Sequence, residues 1–187
     1  VAFSGQPLFT TRGPITLTSN TRDQIQPITA PPIVRANDRS QTLGTGADAK
    51  TVPLGGMMVA FGTGRNLTED DRRTDTTQNV QTLYSVLDNT RYRMNTDKTA
   101  LEVHPGAGTC PSGSDCVPTP AAVGTMVSTG RLLAKQSITV PAGAGSDNAT
   151  VTANQELKTE TWSSYKGWYL DLPATGERLL DPMQFFD

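Results

Sequence analysis

Apolar residues recur along this chain in short alternating runs, divided by polar stretches rich in Gly, Pro, Asn and Asp. The fullest run spans residues 55–89. In GGMMVAFGTGRN, Met57, Val59 and Phe61 fall on one side of an extended backbone, and Met58, Ala60 and Gly62 fall on the other. Both sides are apolar or small, which predicts a strand covered on both faces. Gly62, Thr63 and Gly64 end it, because glycine permits the sharp turn. After the polar run 68–77, residues 81–87 regain apolar character at Leu83, Tyr84, Val86 and Leu87. Val80, Leu83, Tyr84 and Leu87 also fit helical spacing, so a helix is a rival there. The closing Asp88-Asn89 turn, and the need of the first strand for a partner, favour a second strand.

The rest of the chain carries the same rhythm. Residues 7–10 are extended and 13–22 form a polar turn region. QPITAPPIV (26–34) reads as a strand, and its prolines place it at a sheet edge or interrupt it at Pro31-Pro32, since proline cannot donate to a ladder. Residues 35–52 read as a polar loop. Residues 91–130 form a long irregular insertion, of the length that usually marks a functional or mobile loop. LLAKQSITV (132–140) is a strand, 141–148 a turn, and 150–162 one or two strands. GWYLDL (167–172), PATG and 177–180 read as a hairpin that sets Asp171 opposite Arg178, a pair that contributes on the order of 0.2–1 kcal/mol. The expected fold is all-β. A β-propeller blade lies between neighbours and buries its inner strands in this way. The strands group into two loosely similar blade units, 26–140 and 150–187.

Composition narrows the function. Gly 17 and Pro 13 favour turns and strands over long helices. A formal net charge of −2 argues against a nucleic-acid surface. The opening VAFSGQPLFTT lacks the basic and apolar regions of a signal peptide. The chain stops at MQFFD, where a new apolar run starts. Either a signal has been removed or the chain is an internal piece of a longer protein, and the stop at MQFFD favours the piece, residues 1–187 being part of one propeller domain.

Candidate chemistry is sparse. Cys110 and Cys116 in CPSGSDC are too far apart for a C-x-x-C redox pair, and His104 alone supplies too few further ligands for zinc. A local disulfide between them is expected, which implies an oxidising compartment. The acidic run Glu69, Asp70, Asp71 and Asp75 does not match a calcium loop, and Arg72 and Arg73 interrupt it, so it reads as a solvated turn. Asp88, Asn89, Asn95 and Asp97 likewise read as turn formers. No triad is built around His104, and Ser112 and Ser114 are near it only in sequence. Trp162, Trp168 and Tyr169 could form a sugar or peptide platform but read as blade-packing aromatics. No catalytic residue, cofactor site or metal site is assigned.

The segments QPITAPPIV, MMVAFGTGRNLTEDD, TQNVQTLYSVLDN and KGWYLDLPATGERLLDPM occur in an order that resembles the type IV pilus-tip adhesin and assembly family (PilC/PilY). The resemblance is to the C-terminal β-propeller domain, outside the loops 35–52 and 91–130. GWYLDLP followed by GER is its most specific part. It implies a partial, modified seven-bladed propeller, about one to two blades, in which Phe61, Gly62, Gly64, Tyr84, Asp88, Trp168, Asp171 and Arg178 form the blade motif. It further implies a non-enzymatic protein, exported through the periplasm to the pilus tip at the cell surface. There it would support pilus biogenesis and adhesion to host or abiotic surfaces, with the minor pilins and the remaining blades as partners. The family's calcium loop lies upstream of the matching segments, so calcium belongs to the full-length protein and no ligand is assigned here. The alternatives are a blade of a quinone-dependent dehydrogenase-like propeller and a carbohydrate-binding β module.

Overall fold

The computed structural model describes residues 8–16, 24–73, 79–89, 92–103, 124–125, 133–139, 150–153, 165–174 and 176–184. These residues are all-β. The N-terminal part holds three two-residue strands, β1 (Phe9–Thr10), β2 (Arg12–Gly13) and β3 (Gln24–Ile25). Next come β4 (Ile33–Ala36), β5 (Ser40–Leu43), β6 (Lys50–Pro53) and β7 (Met57–Gly62). β8 (Thr82–Asp88) leads into β9 (Tyr92–Met94) and β10 (Leu101–Val103). β11 (Gly124–Thr125), β12 (Ala134–Thr139), β13 (Thr150–Ala153) and β14 (Gly167–Asp171) complete the set. The only helical pieces among the described residues are single 3-10 turns at Gly46–Asp48 and Asp70–Arg72, and none is long and apolar enough to cross a membrane.

Six strands form one mixed sheet in the order β13-β12-β14-β8-β7-β4. β8 is a strand, so the helical rival over 81–87 falls away. It pairs antiparallel with β7, with Phe61 opposite Tyr84 and Val59 opposite Val86. On its other edge it pairs antiparallel with β14, with Tyr169 opposite Tyr84 and Asp171 opposite Thr82. β14 in turn runs parallel to β12. Strands from both 26–140 and 150–187 thus interleave in one sheet rather than forming two.

Both faces of β8 are covered, as its apolar pattern requires. On one face Phe61, Tyr84, Val86, Leu133 and Tyr169 pack together, with Leu8, Phe9 and Val59 at the margin. The Phe61 and Tyr84 rings stack at 5.4 Å, and Phe9 tilts against Tyr84 at 5.2 Å. On the other face Leu87 packs with Val52 and Leu54, flanked by Leu43 and Met58. Val86 and Leu87 are fully buried on opposite faces, and each such side chain stabilises by about 1.5–3 kcal/mol relative to exposure.

Two expectations are corrected. The polar stretch 35–52 is ordered: β4 runs to Ala36, and β5 pairs antiparallel with β6. Three apolar side chains around that hairpin, Leu43, Val52 and Leu54, suffice to anchor it over Leu87. The C-terminal hairpin does not form. β14 already has β12 on one edge and β8 on the other, which leaves no edge for a returning strand. Residues 177–180 instead cross the end of β7, where Leu179 N–H donates to Thr63 O at 3.1 Å. Asp171 consequently lies opposite Thr82 and not Arg178.

The proline reading of 26–34 holds: β4 starts directly after Pro31-Pro32 and is an outer strand of the sheet. Within 91–130, β9 and β10 form an antiparallel hairpin, with the Arg93–Glu102 ion pair at 2.9 Å on one side. The Asn95 side-chain oxygen closes its loop by accepting from the N–H groups of Thr99 and Ala100, the turn role expected of it. Cys110, Cys116, His104 and Trp162 lie outside the described residues.

Candidate functional site

The ends of β7 and β8 meet the segment 24–27, and alternation there sorts side chains into a buried network and an open cleft. Gln26 points inward and is 2 % exposed, while its neighbour Ile25 is 66 % exposed. On the facing chain Val80 is fully buried between Asn79 and Gln81.

The network is built on β8. Gln26 Nε2 donates to Val80 O at 2.5 Å and to Thr82 Oγ1 at 2.7 Å. Thr82 Oγ1 donates to Asp171 Oδ1 at 2.7 Å. Tyr84 OH lies 2.6 Å from Gln26 Oε1 and 2.8 Å from Arg12 O, both acceptors of its single proton. Thr63 Oγ1 accepts from Thr82 N–H at 2.8 Å, which ties in the turn after β7. Buried polar groups are costly unless satisfied, and here each side chain supplies its neighbour's partner. Gly13 makes room for this: a side-chain carbon there would fall 2.1 Å from Gln26 Nε2.

The cleft, of about 260 Å³, opens on the outer side of the same strand ends. Ile25 and Pro27 form an apolar wall, and Arg65, Asn79, Gln81 and Arg178 supply polar groups. Asp71 also lines it and is buried. Its Oδ1 accepts from Arg65 Nε at 2.7 Å. Its Oδ2 accepts from Leu67 N–H, Thr68 N–H and Thr68 Oγ1 at 2.8–2.9 Å. Burial alone would raise its pKa, but the Arg65 bond and the Leu67 and Thr68 donors outweigh this and hold the carboxyl well below the usual range. The solvated-turn reading is therefore wrong for Asp71, which organises the turn 67–71 from inside. Glu69 and Asp70 are exposed. Gln81 Oε1 is buried, and no donor among the described residues reaches it.

The predicted motif residues are brought together only in part. Phe61 and Tyr84 stack in the core. A side-chain carbon on Gly62 would fall 2.3 Å from Leu179 Cβ, and one on Gly64 2.8 Å from Arg178 Cβ, so the crossing segment needs both glycines. Arg178 is held beside the cleft: Nη1 donates to Gly176 O at 2.7 Å and Nη2 to Arg73 O at 3.0 Å. Asp171 joins the network through Thr82. Asp88 sits at the far end of β8 opposite Met57, where burial and then the Asp88 charge raise the pKa of Tyr92. Trp168 is half-buried opposite Ser85, and Tyr169 is buried in the core, so Tyr169 offers no face to a sugar. Sequence reading missed Gln26, Thr82 and Arg65, and took Asp71 for a solvated acid. The signals available were a lone Gln before a proline strand and an Arg six residues ahead of an Asp, both too common to single out.

No family model matches the chain, no curated protein matches it, and no solved structure matches it. Among the described residues, no group of three or more His, Cys, Asp or Glu side chains is placed to hold a metal.

Proposed function

We propose that this chain is a structural, non-enzymatic part of a type IV pilus-tip adhesin of the PilC/PilY kind, a section of its β-propeller that supports pilus biogenesis and surface attachment. One observation carries the reading. The segments that resemble that family are far apart in sequence, yet they build one continuous block. QPITAPPIV supplies Gln26 and β4, FGTG ends β7, TLYSVLD is β8 and GWYLDL is β14, and these strands are consecutive neighbours in the sheet. The GER segment crosses the FGTG glycines through Arg178 and Leu179. Shared motifs that serve one folding unit are what a common blade requires. Among the described residues β4 and β13 are the outer strands of the six-stranded sheet, and at four residues each they suit a blade architecture, which leaves only short edges.

The reading is tested in the bacterium that carries the gene. Removal of the coding region for residues 1–187 is expected to reduce surface pili and attachment, counted by electron microscopy and adhesion assay. Unchanged piliation and unchanged attachment would sink it. The insertion 91–130 is the surface we assign to contact, so its deletion is expected to lower attachment with the sheet intact. Calcium and the minor pilins are expected to act through other parts of the full-length protein.

A further inference from the structure

We propose that the cleft at the ends of β7 and β8 binds a monocarboxylate with a short aliphatic body, an inference independent of the pilus reading. Two guanidinium groups border it and both are oriented by the protein. Arg65 is fixed by its Nε on Asp71, and Arg178 by both Nη groups on the carbonyls of Gly176 and Arg73. The described residues leave the two Nη groups of Arg65 and the Nε of Arg178 unused. Oriented guanidinium donors match the planar geometry of a carboxylate and lose little freedom on binding. The Asn79 and Gln81 amides each spend one N–H on a backbone carbonyl, at 3.2 and 3.3 Å, and each keeps a second.

Charge sets the ligand class. Asp71 cancels one arginine and leaves the cleft with a single positive charge. Asp71 already accepts four protein hydrogen bonds, one on Oδ1 and three on Oδ2, and the Arg65 guanidinium beside it disfavours a cation. Its fixed negative charge opposes a phosphate dianion but tolerates a monoanion. The exposed Ile25 and the half-buried Pro27 form an apolar wall for the aliphatic body. The volume, about 260 Å³, is just below the range of drug-sized sites and suits a small acid.

The test is a titration of the isotope-labelled 187-residue chain, followed by the arginine Nε–H signals in NMR at constant ionic strength. The ligands are sodium butyrate, a glutamate blocked at both ends, sodium phosphate and 1-butanol. Butyrate is expected to shift Arg65 and Arg178 saturably with a roughly millimolar dissociation constant, the strength a ligand of this size can reach. Binding of the blocked glutamate as well would assign the site to an acidic side chain, and butyrate alone to a free acid. Arg178→Gln is expected to weaken binding about tenfold, the loss of a charged hydrogen-bond donor. Ile25→Asp alters only an exposed side chain and is expected to abolish binding with the fold kept, while Arg93→Gln changes nothing. Non-saturating shifts, equal binding of phosphate or butanol, or indifference to Ile25→Asp would each overturn the proposal.

Discussion

Gly167 lies against the backbone of Ser85, so closely that a side-chain carbon at 167 would fall 1.9 Å from the Ser85 carbonyl oxygen. Its φ of 127° is also one that side chains disfavour. Gly55 has a positive φ too, 63°, but open space around it. Gly167→Ala is therefore expected to cost more than about 3 kcal/mol, combining strain with overpacking. Gly55→Ala should cost about 1–2 kcal/mol, from backbone conformation alone. Urea unfolding of the two variants checks this, and equal losses would show that the Ser85 contact is not decisive.

The phenol of Tyr84 is the bridge between Gln26 and the β2 backbone. Tyr84→Phe keeps the stacked ring but strands the Gln26 Oε1 acceptor in a buried site, which costs about 1–3 kcal/mol. Gln26→Leu removes the acceptor itself. In the double variant the loss should be smaller than the sum, with a coupling of about 0.5–3 kcal/mol. A double-mutant cycle in denaturant reads this directly; strict additivity would contradict the hydrogen bond.

Asp71 makes stability depend on acid. Its folded pKa is lowered, so its contribution is present above the unfolded carboxylate value of about 4 and is lost as pH falls below that towards the folded value. Asp71→Asn should thus be less stable than the parent at neutral pH, with the gap constant down to about pH 5 and shrinking below about pH 4. Melting curves from neutral pH to about pH 2 test the sign. A gap that widened in acid would contradict it.

Exposure separates two leucines of the same sequence character. Leu87 is fully buried between β8 and the β5–β6 hairpin, and Leu87→Ala should cost about 2–5 kcal/mol. Leu101 on β10 is 70 % exposed, and Leu101→Ala should stay within about 0.5 kcal/mol of the parent. Thermal melts of the pair suffice to compare them.

Much of this fold was legible because local pattern and tertiary environment agree. β7 and β8 follow the alternation of Met57–Gly62 and Leu83–Leu87, and β4 obeys its prolines. What was missed depends on partners distant in sequence. Leu43, Val52 and Leu54 are too few to announce a hairpin until Leu87 is known to lie beneath them. The expected return strand at 177–180 fails for the same reason: GWYLDL-PATG-GER has hairpin grammar, but both edges of β14 are claimed by β8 and β12. The cleft combines Ile25, Arg65, Gln81 and Arg178, whose meeting no spacing rule encodes. Asp71 looked like one of several surface acids because its burial arises from how the turn folds over it.

The place of β14 has a kinetic consequence. It is the last strand in sequence among the described residues, yet it is an inner strand of the sheet, and it can dock only after β8 and β12, its two neighbours, have been made. Closing so long a loop is an entropic toll that sets in before any contact repays it, and it slows folding. Until residue 171 emerges from the ribosome, β8 waits with one backbone edge bare, a template for association with other chains. A chain stopped at residue 166 should accordingly lose amide-exchange protection along β8 and aggregate faster than the 187-residue chain. The stretch 167–171 acts as the keystone of a sheet whose other five strands are all laid before it.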